Sequence, residues 1–384
     1  MIAVIADDFT GAAEIGGVGL KHGLNVLLET EVTGKGNPDL LVVVADSRSK
    51  TVVDAKARIE KITSQLLDLK PRFIFKKIDS VLRGNVYEEL ITQQDISKKD
   101  NVLVVPANPH FERIIKEGIY YIQGTPLAET SFANDPEFPA KSSNVCELLC
   151  DYPEQVSSVG LGEDIVTTGF MVADVESEED LEQWVSRMNS DTVYAGGAGF
   201  FDAILRKEFD EKPVDGSLEI AEDSKALFIF GSTFPKTVEF MTKLKLAGVM
   251  FINLSEEYFQ HLDEMKDHIR EIAENIAGWL VQNRKVVVTT IFQEEINFPP
   301  EIVRNEIGLL VKEVFDLAEI NALYIEGGAT AAQIIQNLNI KQLTPIRELD
   351  YGIIQMEVAG YPGLSLITKP GSYNWPESII PDTN

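Results

Sequence analysis

Short, uninterrupted apolar runs punctuate the chain: Ile2 to Ala6, Leu40 to Ala45, Phe73 to Phe75, Val102 to Val105, Val193 to Ala195, Ala226 to Phe230, Val286 to Thr290 and Ala322 to Ile325. Many are β-branched and continuous rather than alternating, the pattern of strands covered on both faces. Helical spacing fills the gaps, most clearly over Thr51 to Leu69, Ser177 to Ser190, Ser255 to Asn283 and Pro300 to Ala318. This alternation predicts α/β architecture with mainly parallel sheets flanked by helices. No segment copies another at a fixed period, which argues against a solenoid.

The 384 residues suffice for two domains. From Phe209 to Ser224 charge, Pro and Gly gather while the apolar runs pause, the composition of a linker. The expectation is therefore a domain over 1–212 and another over 222–384, with the active site in the cleft between them. A second irregular stretch, Thr125 to Ser143, carries Pro126, Pro136 and Pro139; long ordered loops of this kind serve as lids or site walls.

Charge narrows the class of partner. Lys and Arg number 34 against 61 Asp and Glu, a net charge of -27, which works against a nucleic-acid or anionic-membrane footprint. A small anion in a pocket with a few local cations remains compatible with it. Cys146 and Cys150 are the only cysteines, and their spacing suits one helix face rather than a disulfide framework. No stretch reaches the roughly 18 apolar residues of a spanning helix, and the N-terminus runs straight into Asp7 and Asp8, so the expected location is the cytoplasm.

Polar clusters follow the buried strands. After the first comes Ala6-Asp7-Asp8-Phe9-Thr10-Gly11-Ala12, carboxylates where open α/β sheets bind ligands. Capping of the next helix by either acid, or by Thr10, is the plainer reading; two adjacent acids exceed what a cap needs, so contact with substrate or metal is expected of at least one. Lys76-Lys77-Ile78-Asp79-Ser80-Val81-Leu82-Arg83-Gly84-Asn85 follows another strand, a dense donor and acceptor set suited to a polyhydroxylated acid. Asp46-Ser47-Arg48-Ser49 repeats the arrangement, and Arg113 follows a fourth strand. Three polar loops after three strands predict one crevice.

The second half offers backbone instead of charge. Gly231-Ser232-Thr233, Glu326-Gly327-Gly328-Ala329-Thr330 and Lys369-Pro370-Gly371-Ser372-Tyr373 are small-residue turns at the ends of apolar runs. Backbone amides at such turns bind phosphate without cationic side chains. P-loop, dinucleotide-fold and nucleophile-elbow motifs do not occur.

Together, Ile5 to Ala12, Lys77 to Asn85, Pro126 to Thr130 with Asp135-Pro136, Gly231-Ser232 and Gly327 to Ala331 resemble the four-carbon acid sugar kinase family, which includes threonate, erythronate and 3-oxo-tetronate kinases. The motifs keep family order across nearly the whole chain. This resemblance implies ATP- and Mg²⁺-dependent phosphorylation of the terminal hydroxyl of a four-carbon sugar acid by a sugar-acid-binding domain and a nucleotide-binding domain. It assigns Asp7, Asp8, Arg48, Lys77, Ile78, Asp79, Ser80 and Arg83 to the acid, and Ser232, Gly327, Gly328, Lys369, Pro370, Gly371 and Ser372 to ATP. Asp8 or Asp79 would act as the base; metal ligands are not assigned. Ala329 departs from the acidic residue common at that position, and the last loop departs from the usual Gly-Gly-Phe-Gly type. Alternatives from other classes are a metal-dependent phosphohydrolase or lyase and a non-catalytic sugar-acid sensor. The apolar segment Phe292 to Phe298 is the candidate face of a homodimer.

Overall fold

The computed structural model describes residues 1–135, 137–162, 169–212, 224–231, 235–255, 258–259, 265–283, 285–290, 298–371 and 373–380. The chain divides into two compact units, Met1–Lys212 and Pro213–Asn384. Most of the stretch read as a linker, 213–223, and most of the candidate dimer segment, 292–297, lie outside the described residues.

In the first unit a parallel sheet runs β2 (Val26–Glu29), β3 (Leu40–Val44), β1 (Ile2–Ala6), β4 (Ile74–Lys77), β11 (Thr192–Gly196), β5 (Asn101–Val105), β10 (Gly169–Ala173) and β9 (Val156–Val159). β1, β3 and β5 are buried at every residue, which is why their sequences do not alternate. The chain leaves β1 toward β3 on one side and returns to β4 on the other, so the loops beyond β1, β3 and β4 part at a switch point.

Helix α1 (Phe9–Lys21) crosses the sheet closely: a Cβ at Gly19 would come within 2.6 Å of Leu40 and 2.7 Å of Val26. Helix α2 (Val52–Asp68) buries Ile59, Ile62 and Leu66 against Ala3, Ile5, Leu41 and Val43. Truncating Ile59 to Ala there would cost about 2–5 kcal/mol. α3 (Val86–Ser97), α4 (Val145–Leu149), α5 (Glu178–Ser186) and α6 (Ala198–Arg206) complete the unit. α5 opens with a Ser177–Asp180 capping box and stops before the expected Ser190.

A small antiparallel sheet, β6 (Arg113–Lys116), β7 (Ile119–Ile122) and β8 (Thr125–Pro126), leads into 3₁₀ turns at Leu127–Glu129 and Ser131–Asn134. The stretch read as irregular thus has local structure, too short for periodicity to reveal. Both cysteines are free thiols; Cys146 lies in α4, while Cys150 caps it with extended backbone.

The second unit pairs β13 (Met250–Asn253), β14 (Lys285–Thr289), β12 (Ala226–Phe230), β15 (Ala322–Glu326) and β18 (Ser365–Lys369) in parallel. At its end β16 (Gln342–Asp350) and β17 (Ile353–Val358) form an antiparallel hairpin, and β17 also pairs antiparallel with β18, an addition to the mainly parallel sheet expected. Tyr351-Gly352 makes the turn, with Gly352 at φ +69°, and so short a connection admits only antiparallel pairing.

Helices α7 (Pro235–Leu246), α8 (Met265–Asn283), α9 (Pro300–Leu317) and α10 (Gly328–Asn337) flank the sheet. Of the helix expected to start at Ser255, Ser255 itself is not helical and Tyr258 and Phe259 are, while 256–257 and 260–264 lie outside the described residues. Phe228 stacks on Tyr324 at 4.4 Å between ring centres, within a core that includes Phe230, Phe240 and Trp375. Among the described residues no helix is long and apolar enough to cross a membrane.

Candidate active site

The crevice of the first unit is built from loop tips. Asp8 has extended backbone (φ -137°, ψ 169°) and is the N-cap of α1. Its Oδ1 accepts the Gly11 N–H at 2.7 Å and its Oδ2 accepts the Thr10 hydroxyl at 3.0 Å. Thr10 is therefore a donor to the cap and not the cap itself, because it already lies inside the helix. Capping does not exhaust Asp8, since Arg48 Nη1 meets Oδ2 at 2.8 Å. The same guanidinium donates through Nε to Asp7 Oδ2 at 2.7 Å and reaches Asp79 Oδ1 at 3.6 Å. One arginine from the loop after β3 thus binds carboxylates from the loops after β1 and β4.

Asp79 is the most heavily engaged of the three acids. Arg83 grips it with both sides of its fork, Nη2 to Oδ1 at 2.7 Å and Nε to Oδ2 at 2.9 Å. Backbone N–H groups of Val81 and Arg83 also donate to Oδ2. Burial works to raise the Asp79 carboxyl, but the charges of Arg83 and Arg48 outweigh it and hold the group far below the usual carboxylate range. Asp7 follows the same logic: burial opposes ionisation, while Arg48, Lys76 and Lys77 favour it and win. Asp7 Oδ1 is buried without a hydrogen-bond partner.

Lys77 leaves β4 and places Nζ 3.2 Å from Glu14 of α1 and 3.1 Å from the Ile78 carbonyl. A Cβ at Gly11 would press within 2.8 Å of Asp8 Oδ1 and 3.2 Å of that ammonium. Burial tends to neutralise Lys77, yet Glu14, Asp7 and Asp8 raise it above the ordinary lysine value. Ile78 contributes backbone: its N–H donates to Gly196 of the neighbouring strand at 3.2 Å. Ser80 Oγ accepts from Arg113, which joins the cluster from β6. Asn85 Nδ2 donates to the carbonyls of Ser47 at 3.2 Å and Lys50 at 2.9 Å, joining the loops after β3 and β4.

Residues 125–143 supply a wall. Arg83 Nη1 donates to Asp135 at 2.9 Å, and its guanidinium lies 5.5 Å from the centre of the Phe132 ring. The structure therefore brings Asp7, Asp8, Arg48, Lys77, Ile78, Asp79, Ser80 and Arg83 together. The sequence reading does not include Glu14 among the site residues, and it quotes Asp135 in the Asp135-Pro136 motif without giving it a role. Glu14 could have been found as an acid on the otherwise small-residue helix that follows Asp8.

In the second unit the turns after β15 and β18 adjoin, because Glu326 and Lys369 are register partners and Gly327 N–H donates to the Lys369 carbonyl at 2.9 Å. Gly327 adopts φ +93°, and a Cβ there would meet nothing within 4 Å. Behind it α10 starts with no side-chain cap, leaving N–H groups of its first turn for an acceptor from outside the helix. Ser232 and Ser372 lie outside the described residues.

Lys369, which the resemblance places in the segment holding ATP, turns its side chain into the unit. Its ammonium, 1% exposed, donates to the carbonyls of Pro370, Gly371 and Tyr373 at 2.9, 3.2 and 2.8 Å and pairs with Glu326 at 3.2 Å. Burial lowers its affinity for the proton despite that partner. What this position offers a nucleotide is the shape of the turn. Glu326 and Trp375, which enclose the ammonium, were missed, although an acid ending an apolar strand was a legible signal.

No group of three or more His, Cys, Asp or Glu that could hold a metal occurs among the described residues. Asp7, Asp8 and Asp79 are paired with guanidinium groups, Glu326 with Lys369, and Ala329 carries no carboxylate. The described side chains do not fit a resident metal ion.

A family model described as a sugar-binding N-terminal domain matches residues 2–204, and one described as a nucleotide-binding C-terminal domain matches residues 227–373. The chain is 24% identical to a D-threonate kinase of Salmonella typhimurium over 86% of its own length and 85% of that protein. It is 31% identical to a D-erythronate kinase of Heliobacterium modesticaldum over 38% of this chain and 35% of that one. A crystal structure from Salmonella typhimurium LT2, described as a candidate tRNA synthase, matches with a TM-score of 0.77 and 18% identity, covering 97% of this chain and 96% of that one. That last likeness concerns the fold alone. On the two domain matches, which together span most of its length, the chain belongs to the four-carbon acid sugar kinase family, with a sugar-binding N-terminal domain and a nucleotide-binding C-terminal domain.

Proposed function

We propose that this protein transfers the γ-phosphoryl group of ATP to the terminal 4-hydroxyl of a four-carbon sugar acid of the threonate, erythronate or 3-oxo-tetronate type, in the cytoplasm. The observation that carries the reading is the convergence of Asp7, Asp8 and Asp79 on Arg48, at the ends of three parallel strands. Arg48, Arg83 and Lys77 supply cations for the substrate carboxylate or the migrating phosphoryl group, with Ile78, Ser80 and Asp7 lining the same loops. Asp8 is the base in this account. It accepts the hydroxyl proton as the new O–P bond forms and ADP departs. Asp79 is a poorer candidate, because five donor contacts occupy its oxygens; it orients Arg83 instead.

In the second unit the open, positive-φ backbone of Gly327, the N–H of Gly328 and the turn through Pro370 and Gly371 hold the phosphates, with Ser232 and Ser372 as further contacts. Mg²⁺ enters with the nucleotide, as MgATP. The test is a coupled ADP-release assay over the four-carbon acids, with and without Mg²⁺. ADP release that requires both a sugar acid and Mg²⁺ is expected. Release of inorganic phosphate from a phosphorylated acid without ATP would replace the kinase by a phosphohydrolase, and acid binding with no ATP heat in calorimetry would leave a sensor.

A further inference from the structure

Two turns assigned to the nucleotide follow β15 and β18, and one buried side chain joins both of them to α7. Glu326, 1% exposed, ends β15 immediately before Gly327. Its Oε1 accepts from Thr237 Oγ1 in the first turn of α7, the helix that follows the turn after β12. Its Oε2 accepts the Trp375 indole N–H at 3.0 Å and pairs with Lys369 at 3.2 Å. Lys369 in turn gathers the three carbonyls of the turn after β18. Thr237 and Lys369 are each 1% exposed and Trp375 is 6% exposed, so water cannot substitute for any of these partners without opening the core.

We propose that Glu326 is a positioning residue for the nucleotide: its carboxylate sets the mutual placement of the turns after β15 and β18 and so controls ATP affinity without touching ATP. The inference rests on the functional reading above. A carboxylate is required rather than any acceptor, because three donors converge on two oxygens and one of them is an ammonium beside the Trp375 ring, 5.7 Å away. Without the negative charge that ammonium is left buried and unbalanced, and it would abandon the carbonyls that define the 369–373 turn. Gly327 would move with it, since its N–H is bonded to the Lys369 carbonyl.

The experiment uses the full chain, with KM values for ATP and for the sugar acid, ATP calorimetry and melting temperature. Glu326→Gln is expected to raise the ATP KM about tenfold or more, the size of losing hydrogen bonds to a charged group, while the acid KM stays within about twofold. Trp375→Phe deletes one donor and should raise the ATP KM about two- to fivefold; it decides the matter if the first variant does not fold. A lower melting temperature with an unchanged ATP KM in both single variants would reduce Glu326 to a structural role and overturn the proposal. Equal rises in both KM values would overturn it as well. Wild-type protein that binds no ATP would instead defeat the functional reading on which this stands.

Discussion

The two units present their chemistry in opposite ways. In the first, charged side chains stand at the tips of strands and bind one another across loops: Arg48 to Asp7 and Asp8, Arg83 to Asp79 and Asp135, Lys77 to Glu14. In the second, the charged residues of the candidate turns are turned inward, Glu326 and Lys369 being buried against each other, and glycine backbone is left outside. A small acid with several hydroxyls calls for many directed side-chain contacts, whereas a phosphate chain is served by N–H groups that need only be held in place. A strongly acidic protein gains from the second arrangement, since it needs no exposed cations there.

This contrast breaks if the first site tolerates conservative chemical changes or the second tolerates a change of backbone. The largest effect is expected from Asp8→Asn, which keeps the helix cap but removes the proton acceptor; kcat should fall about 10²- to 10³-fold, and rates near wild type in steady-state assays would dismiss Asp8 as the base. Next comes Arg48→Lys, where one ammonium cannot serve acids in three directions; the KM for the sugar acid should rise about 10- to 100-fold with the ATP KM unchanged. In the second unit Gly327→Ala forces a side chain into positive φ at a cost of about 1–2 kcal/mol, and calorimetry should show ATP binding weakened about tenfold while acid binding persists.

The smallest effect is a dependence of stability on pH. Asp7 and Asp79 titrate lower in the folded chain than the value of about 3.9 expected when unfolded. Their pairing therefore contributes in full above that unfolded value and is lost as pH falls below it toward the folded values. Urea midpoints of wild type and Asp79→Asn should differ by a constant amount between pH 7 and pH 5 and converge below about pH 4. Convergence already between pH 7 and pH 5 would mean that the carboxyl is raised instead.

Continuous apolar strands such as Ile2–Ala6 and Ala226–Phe230 were legible because burial on both faces leaves no room for polar residues. The polar loops were legible because charge after such a strand is conspicuous. The antiparallel hairpin of β16 and β17 was not anticipated, since β16 is only partly buried and reads as neither pattern. The partners were hidden too: Glu14 and Asp135 reach Lys77 and Arg83 through tertiary proximity that no local spacing encodes. Lys369 shows the sharper difficulty. A lysine in a glycine turn looks the same in sequence whether its ammonium faces a phosphate or its own backbone.

Asn85 gives the acid crevice a property beyond affinity. By clasping two carbonyls of the opposite loop, it makes the Arg48 and Arg83 segments one mechanical body. Altering either arginine's loop to favour a different stereoisomer would drag the other along, so substitutions in the two loops should be strongly non-additive. New selectivity in this scaffold would then arise through coupled pairs of changes, with single steps penalised along the way.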